Sequence, residues 1–278
     1  MENPTKPIPF LYDSSQQKPV VVEELIELYR YRNLLWRLVH RDITVRYKRS
    51  MLGFLWTMLN PLLMMLALTV VFSSFFRFDI KNFPLYLFSG MLLYQFIQWG
   101  TLQSINSLVW GGALMNKIYL PKSIFITTGN LVSLVNTLLA LVPLAVIMVL
   151  SHASFSPALC FLPFALVISL IFSMGVSLFV ATLAIFFTDI ADIYSVAITV
   201  GFYLTPVFYP VRIVPDQYRS LIYWNPMYYF VEIFRQPIYQ GVLPDGGLLL
   251  RACLIAIGVF CAGWWFFAWK CDEFAYRV

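Results

Sequence analysis

Hydrophobic positions in this chain fall into six long charge-free runs, separated by short segments that carry charge, proline or paired glycine. A run of about 20 apolar residues is long enough to cross the hydrocarbon core of a bilayer as a helix. The runs cover residues 52–76, 84–109, 124–150, 158–187, 193–209 and 252–269. Pro84 is placed to open the second run, and the Gly111–Gly112 pair closes it. Asp189 and Asp192 mark a tight turn into the fifth. The pattern predicts an all-α polytopic membrane protein with six transmembrane helices.

The segment ahead of the first run has a different period. Arg30, Asn33, Arg37, Arg41, Thr44 and Lys48 recur every three or four residues, which on a helix makes one polar stripe. Leu28, Tyr31, Leu35, Leu38 and Val39 line up on another face. Such a helix suits the membrane–water interface, lying flat with its apolar side among the headgroups. The expected organisation is a flexible polar tail over residues 1–22, an amphipathic interface helix over 23–49 and a transmembrane domain over 50–278. The tail contains Pro4, Pro7, Pro9 and Pro19 and does not read as a secretory signal.

Residues 210–247 are apolar enough to suggest a further span. Pro226 and Pro237 limit uninterrupted helix there, and Glu232 with Arg235 would be costly in lipid. Two short helices, broken near Asn225–Pro226 and re-entrant from the outer side between spans five and six, fit better. Tyr218, Tyr223, Trp224, Tyr228 and Tyr229 agree with an interfacial position. The segment is a candidate external gate.

Composition agrees with the membrane reading. Hydrophobic residues make up 60% and charged residues 12% of the chain, against roughly 45–50% and 25% in soluble domains. The net charge of +5 is concentrated, because seven basic residues lie between Arg30 and Arg49 and only Asp42 opposes them. A basic cluster beside a span reports topology and anionic lipid rather than nucleic acid. With an even number of spans, both termini lie on one side. The basic N-terminal segment and the Lys117–Lys122 loop make that side the cytoplasm, with the chain multi-pass in the cytoplasmic (inner) membrane.

The spans carry no Asp, Glu, Lys or Arg in their interiors, which weighs against an ion-coupled transporter. No G-x-x-x-x-G-K-[ST] loop is present for ATP, and no constellation of acids, histidines or metal ligands suggests an enzyme. Cys160, Cys253, Cys261 and Cys271 lack metal-site spacing, and His40 and His152 stand apart from one another. No catalytic residue, metal site or cofactor is therefore expected on this chain. What the spans do contain is neutral polarity: Gln95, Gln98, Gln103 and Asn106 in the second, and Asn130, Ser133 and Asn136 in the third. These suit either hydrogen bonds between helices or the wall of a channel for a hydroxyl-rich substrate. Trp56, Tyr94, Trp99, Tyr203, Phe208 and Tyr209, at span ends, suit either an interfacial belt or stacking on sugar rings. Ser169, Ser173 and Ser177, four residues apart, permit close helix packing.

The first span's opening, RYKRSMLGFLWTMLNPLL, resembles that of ABC-2-type permeases that export polysaccharide. The pattern R-Y-x-x-S/T-x-L-G-x-x-W-x-x-x-x-P is met by Arg46, Tyr47, Ser50, Leu52, Gly53, Trp56 and Pro61. LPKSIFI, FFTDIADI, LTPVFYP and YWNPMYYFVEIFRQPI are similar to further signatures of that family, in its order. The resemblance implies a homodimer of six-span subunits paired with two copies of a separate ATPase, which would bind ATP and Mg. It implies export of lipid-linked O-antigen or capsule-like glycan, with teichoic acid, or drugs and small lipids, as alternatives. It places ATPase contacts at Arg37, Arg41, Asp42, Asn116, Lys117 and Lys122. It also implies phosphate contact near Arg46, Lys48, Arg49, Ser50 and Gly53, and an external gate at Asn225, Pro226, Tyr228, Tyr229, Glu232 and Arg235.

Overall fold

A computed structural model describes residues 20–48, 50–72, 80–110 and 121–276, and among these it is helical with no strand. Residues 1–19 of the expected tail, Arg49, the end of the first run and the loop containing Asn116 and Lys117 lie outside the described residues, while Val20 to Val22, expected in the tail, open the first helix. Helices α1 (Val20–Arg30) and α2 (Arg32–Tyr47) replace the single amphipathic helix read from the pattern. They meet at Tyr31, whose backbone leaves helical geometry at φ −91, ψ 16. Backbone bonds from Tyr31 N–H to the Glu27 carbonyl and from Leu35 N–H to the Tyr31 carbonyl continue through the bend. On the apolar face Leu38 and Val39 are buried within the protein, where the pattern alone suggested contact with headgroups.

Among the described residues the further long or medium helices are α3 (Trp56–Val71), α4 (Phe83–Trp110), α5 (Ser123–Leu150), α6 (Leu162–Phe186), α7 (Asp189–Leu204) and, after two short ones, α10 (Gly246–Lys270). Among the described residues, four helical segments are long and apolar enough to cross a membrane, namely Gly53–Val71, Ser123–Leu150, Pro157–Phe186 and Gly246–Lys270. Helix α4 is long enough at 28 residues, but its glutamines and tyrosines dilute its apolar character. Helix α7 has 16 residues, or about 24 Å at ~1.5 Å per residue, short of a ~30 Å hydrocarbon core. The apolar run continues to Tyr209, yet the helix stops at Leu204 because Pro206 disfavours helical backbone at Thr205. Helix α10 begins earlier than its charge-free run: the Asp245 carboxylate accepts from the N–H groups of Gly247 and Leu248, and Arg251 stays exposed on the helix.

The two short helices expected after the fifth run are α8 (Asp216–Trp224) and α9 (Pro226–Arg235), broken at Asn225. Asn225 caps α9 by accepting from Met227 N–H at 3.0 Å, and Pro226 occupies the first helical position, where no N–H is needed. Past Arg235 the chain makes one π-helical turn, Gln236–Gln240, which accommodates Pro237.

Helix α4 is the centre of the molecule. Leu85, Leu87, Phe88, Met91 and Leu93 on it are fully buried among α3, α5, α6, α7 and α9. One end of the bundle is tied together by polar contacts. Ser123 at the start of α5 donates to the buried Glu24 carboxylate of α1, which also receives Cys271 Sγ at 3.6 Å. Lys122 Nζ donates to the Cys271 carbonyl just past α10. The two terminal segments therefore meet at the same end of the bundle, where α5 begins.

Candidate functional site

The site is organised by the turn that joins α2 to α3. Gly53 N–H donates to Ser50 Oγ at 3.0 Å, and Gly53 sits at φ +46, a region that disfavours any residue with a Cβ. The serine and glycine of the family pattern are thus a local device for turning the chain into α3. Just before the turn, Arg46 projects across to α4. Its guanidinium carbon lies 5.1 Å from the Trp99 ring centroid, within cation–π range. Arg46, Lys48 and Ser50 share one open concavity with Val45, which brings together three of the residues expected to meet phosphate. Arg46 and Lys48 are both solvent-exposed.

Beneath Arg46 lies a cleft of about 200 Å³ between α3, α4 and α5. Trp56 and Trp99 supply aromatic surface, while Thr57, Asn60, Gln95, Asn136 and Thr137 supply neutral polar groups. Among the described residues that line it, Arg46 alone is charged. Asn136 Oδ1 is buried and has no hydrogen-bond partner among the described residues. Trp99 also borders a second cavity of about 270 Å³, whose polar wall is Gln103 and Asn106 of α4 with Asp192 and Ser195 of α7. Asn60 and Thr57 were not singled out from the pattern. A lone amide inside a charge-free span, one residue before Pro61, was the available signal.

Other expected channel residues go elsewhere. Asn130 is fully buried, donating to Ser104 Oγ, Ser177 Oγ and the Ile126 carbonyl and accepting from Ser173 Oγ, all within 3.1 Å. It is a node between α4, α5 and α6 and not a wall residue; the expectation of a channel role fails because every polar atom is already paired inside the subunit. Tyr94 is likewise buried, its hydroxyl donating to the Ile198 carbonyl of α7 at 2.6 Å. Gln98 is part-exposed and borders neither cavity. Tyr203, Phe208 and Tyr209 form an aromatic cluster at the far end of α7, with Phe208 4.9 Å from the Phe72 ring at the end of α3.

Of the residues expected to contact an ATPase, Arg37 and Arg41 lie on the exposed side of α2, sharing an open concavity with Trp36 and His40. Arg41 holds Asp42 through a forked pair of bonds, 2.9 and 2.8 Å from Nε and Nη2 to one carboxylate oxygen. Lys122 turns inward, bonded to the Cys271 carbonyl and 5.3 Å from the Phe274 ring centroid. Its ammonium is committed within the chain because the end of α10 packs over the start of α5.

The residues expected to gate the outer end form a closed set of contacts. Asn225 Nδ2 donates to Thr205 Oγ1 at 2.8 Å, and Tyr229 Oη donates to the Tyr223 carbonyl at 2.8 Å. Tyr228 packs edge-on between Tyr223 and Tyr229. Burial, with Glu232 acting in the same direction, pushes the Tyr228 phenol up to about 12, so it remains neutral. Arg235, 1% exposed, donates to Glu232, to the Tyr86 hydroxyl and to the carbonyls of Pro206 and Val207.

The chain matches the ABC-2 type transporter family over residues 33–239. It is 31% identical over 255 residues to a Myxococcus xanthus protein named O-antigen export system permease protein RfbA, a match covering 91% of this chain and 98% of that one. A Klebsiella pneumoniae protein of the same name is 28% identical over 214 residues, 76% of this chain and 82% of its own length. The Escherichia coli polysialic acid transport protein KpsM is 23% identical over 211 residues, covering 74% and 81%. The family match takes in the Arg46–Trp99 pair, the cleft between α3, α4 and α5, and the Asn225–Arg235 segment, so the chain belongs to the ABC-2 type transporter family.

Proposed function

We propose that this chain is the permease subunit of an ATP-driven exporter that moves lipid-linked polysaccharide, of the O-antigen or capsular kind, across the cytoplasmic membrane. The observation that carries the reading is the nearly whole-length similarity to a protein named as an O-antigen export permease. The site chemistry supports it. A lipid-linked glycan has an anionic phosphate next to neutral sugar rings, and Arg46 with Lys48 stands beside a neutral cleft flanked by two tryptophans.

In this reading two copies of the chain form the transmembrane unit, each with six spans and both termini in the cytoplasm. Two ATPase subunits bind ATP and Mg and drive the conformational cycle. Helices α1 and α2 lie at the cytoplasmic interface, where Arg37 and Arg41, together with Asn116 and Lys117, contact the ATPase. Arg46, Lys48 and Arg49 hold the substrate's phosphate, since guanidinium groups offer a planar fork to its oxygens. The segment with α8 and α9 closes the external end.

The test is deletion of the gene in the source cell, followed by separate assays of surface glycan and of lipid-linked glycan inside the membrane. Surface glycan should be lost while the lipid-linked form accumulates on the cytoplasmic side, and the cloned chain should restore export only with its ATPase. Normal surface glycan in the deletion strain would refute the proposal.

A further inference from the structure

We propose that the cleft between α3, α4 and α5 is a sugar-reading subsite, in which Asn136 and Asn60 recognise the single ring next to the substrate's phosphate. The inference rests on the export reading above and assigns a specific role to one part of it.

The first support is the unpartnered amide. A buried polar atom without a hydrogen bond costs about 1–3 kcal/mol, and folded chains carry few of them. Asn136 Oδ1 is such an atom, and its residue lines the cleft. The contrast is on the same helix: Asn130, less than two turns earlier, has its amide paired with three serines and a carbonyl. Pro61 removes one intrahelical donor beside the same cleft. Proline has no N–H to give the carbonyl four residues earlier, which is that of Thr57, and both residues line the cleft.

The wall then decides the ligand class by elimination. An acyl chain would bury the amides of Asn60, Gln95 and Asn136 against hydrocarbon, and each such burial is unfavourable. An anion would face the Asn136 oxygen, and among the described lining residues no cation lies deeper than Arg46 at the rim. A cation would find no carboxylate among the described residues of the lining. A neutral polyhydroxyl ring meets every group present. Its hydroxyls both donate and accept, so they satisfy an amide whichever way its two ends are set. Its C–H face can lie against the indoles of Trp56 or Trp99. The cleft's ~200 Å³ is below the roughly 300–1,000 Å³ of drug-sized sites, which suits one ring rather than an oligosaccharide. Arg46 at the rim then fixes the order: phosphate outside, first sugar within.

The experiment uses the permease purified with its ATPase in lipid nanodiscs. The probes are a polyprenyl pyrophosphate alone and the same lipid carrying one glucose, galactose or N-acetylglucosamine. Wild type should bind at least one sugar-bearing lipid about tenfold more tightly than the bare lipid. Asn136→Leu and Asn60→Leu should each cut that preference to twofold or less while leaving bare-lipid affinity unchanged. Equal wild-type affinity for all four lipids would overturn the subsite and leave phosphate recognition standing. Binding of none would overturn the export reading, and the subsite with it. Full preference in both leucine variants would show that the sugar is read elsewhere. The wild-type comparison needs no variant to fold, and equal melting temperatures qualify the leucine variants for use.

Discussion

Substituting Gly90 by alanine tests the packing of α4 against α9 by the sign of its effect. Gly90 lies within α4, where helix propensity alone favours alanine by about 1 kcal/mol. The structure gives the opposite sign. A Cβ at position 90 would lie 2.0 Å from Arg235 Nη2 and 3.0 Å from its guanidinium carbon. The guanidinium cannot swing aside, because its two terminal nitrogens donate to Tyr86, Pro206, Val207 and Glu232 at 2.8–3.0 Å. Making room forfeits at least one charge-assisted bond, about 1.5–3 kcal/mol, on top of overpacking at about 1–3 kcal/mol. Set against the ~1 kcal/mol of propensity, the net loss is on the order of 3 kcal/mol. At roughly 2–4 °C per kcal/mol, this is a fall in melting temperature on the order of 10 °C. Scanning fluorimetry of the purified protein reads it directly. The cause is isolated by a double-mutant cycle with Arg235→Met, which alone should cost about 3–5 kcal/mol because Glu232 loses its buried partner. With the guanidinium gone, Gly90→Ala should cost little, so the pair should be strongly non-additive. A rise in melting temperature for the single variant, or additive losses in the pair, would refute the account.

Gly53→Ala should lower the melting temperature by a few degrees, since φ +46 strains any Cβ by about 1–2 kcal/mol even though no atom lies within 4 Å of it. Gly53→Asn should lose less, and an alanine variant as stable as wild type would show the turn to be unstrained. Asn225→Ala removes both the cap on Met227 and the bond to Thr205. A loss of about 1–2 kcal/mol is expected, and Asn225→Asp, which keeps the cap, should recover part of it. Amides of α3 should exchange with deuterium faster than those of α5 and α6 in the isolated protein, because α3 buries only Pro61 and Met65; slower exchange in α3 would contradict its loose packing.

Much of the fold was legible because lipid leaves a chain few choices. Charge-free runs must satisfy their own backbone and therefore become helices, and this located α3 to α6 and the middle of α10 within a few residues. What hydropathy could not give were the ends, which are set by local chemistry. Asp245 starts α10 ahead of Arg251, and Pro206 stops α7 before the apolar run is over. The bend at Tyr31 was equally hidden, since the amphipathic period runs through it without a break. Proline logic served well for α8 and α9, because Asn225–Pro226 combines a side-chain cap with a residue that needs no donor.

The candidate site was only half legible, and Asn130 and Asn136 show why. Both are amides in the same charge-free run, and spacing alone gives each the same two readings, a bond between helices or a channel wall. The helical turn separates them. Asn130 meets Ser104 of α4 with Ser173 and Ser177 of α6, and the four side chains close a network inside the wall. Six residues later on α5, Asn136 Oδ1 finds no hydrogen-bond partner among the described residues, and the side chain lines the cleft beneath α3 instead. The same polar composition therefore makes two materials: a satisfied seam that holds α4, α5 and α6 together, and an unsatisfied face left for α3 to cover. Helix α3 covers it poorly, with most of its long side chains exposed and a proline beside the cleft. A cleft between a firmly bonded wall and a loosely packed helix can admit a polar ring by moving α3 alone. The Asn130 network would then stay intact, because none of its bonds reaches α3.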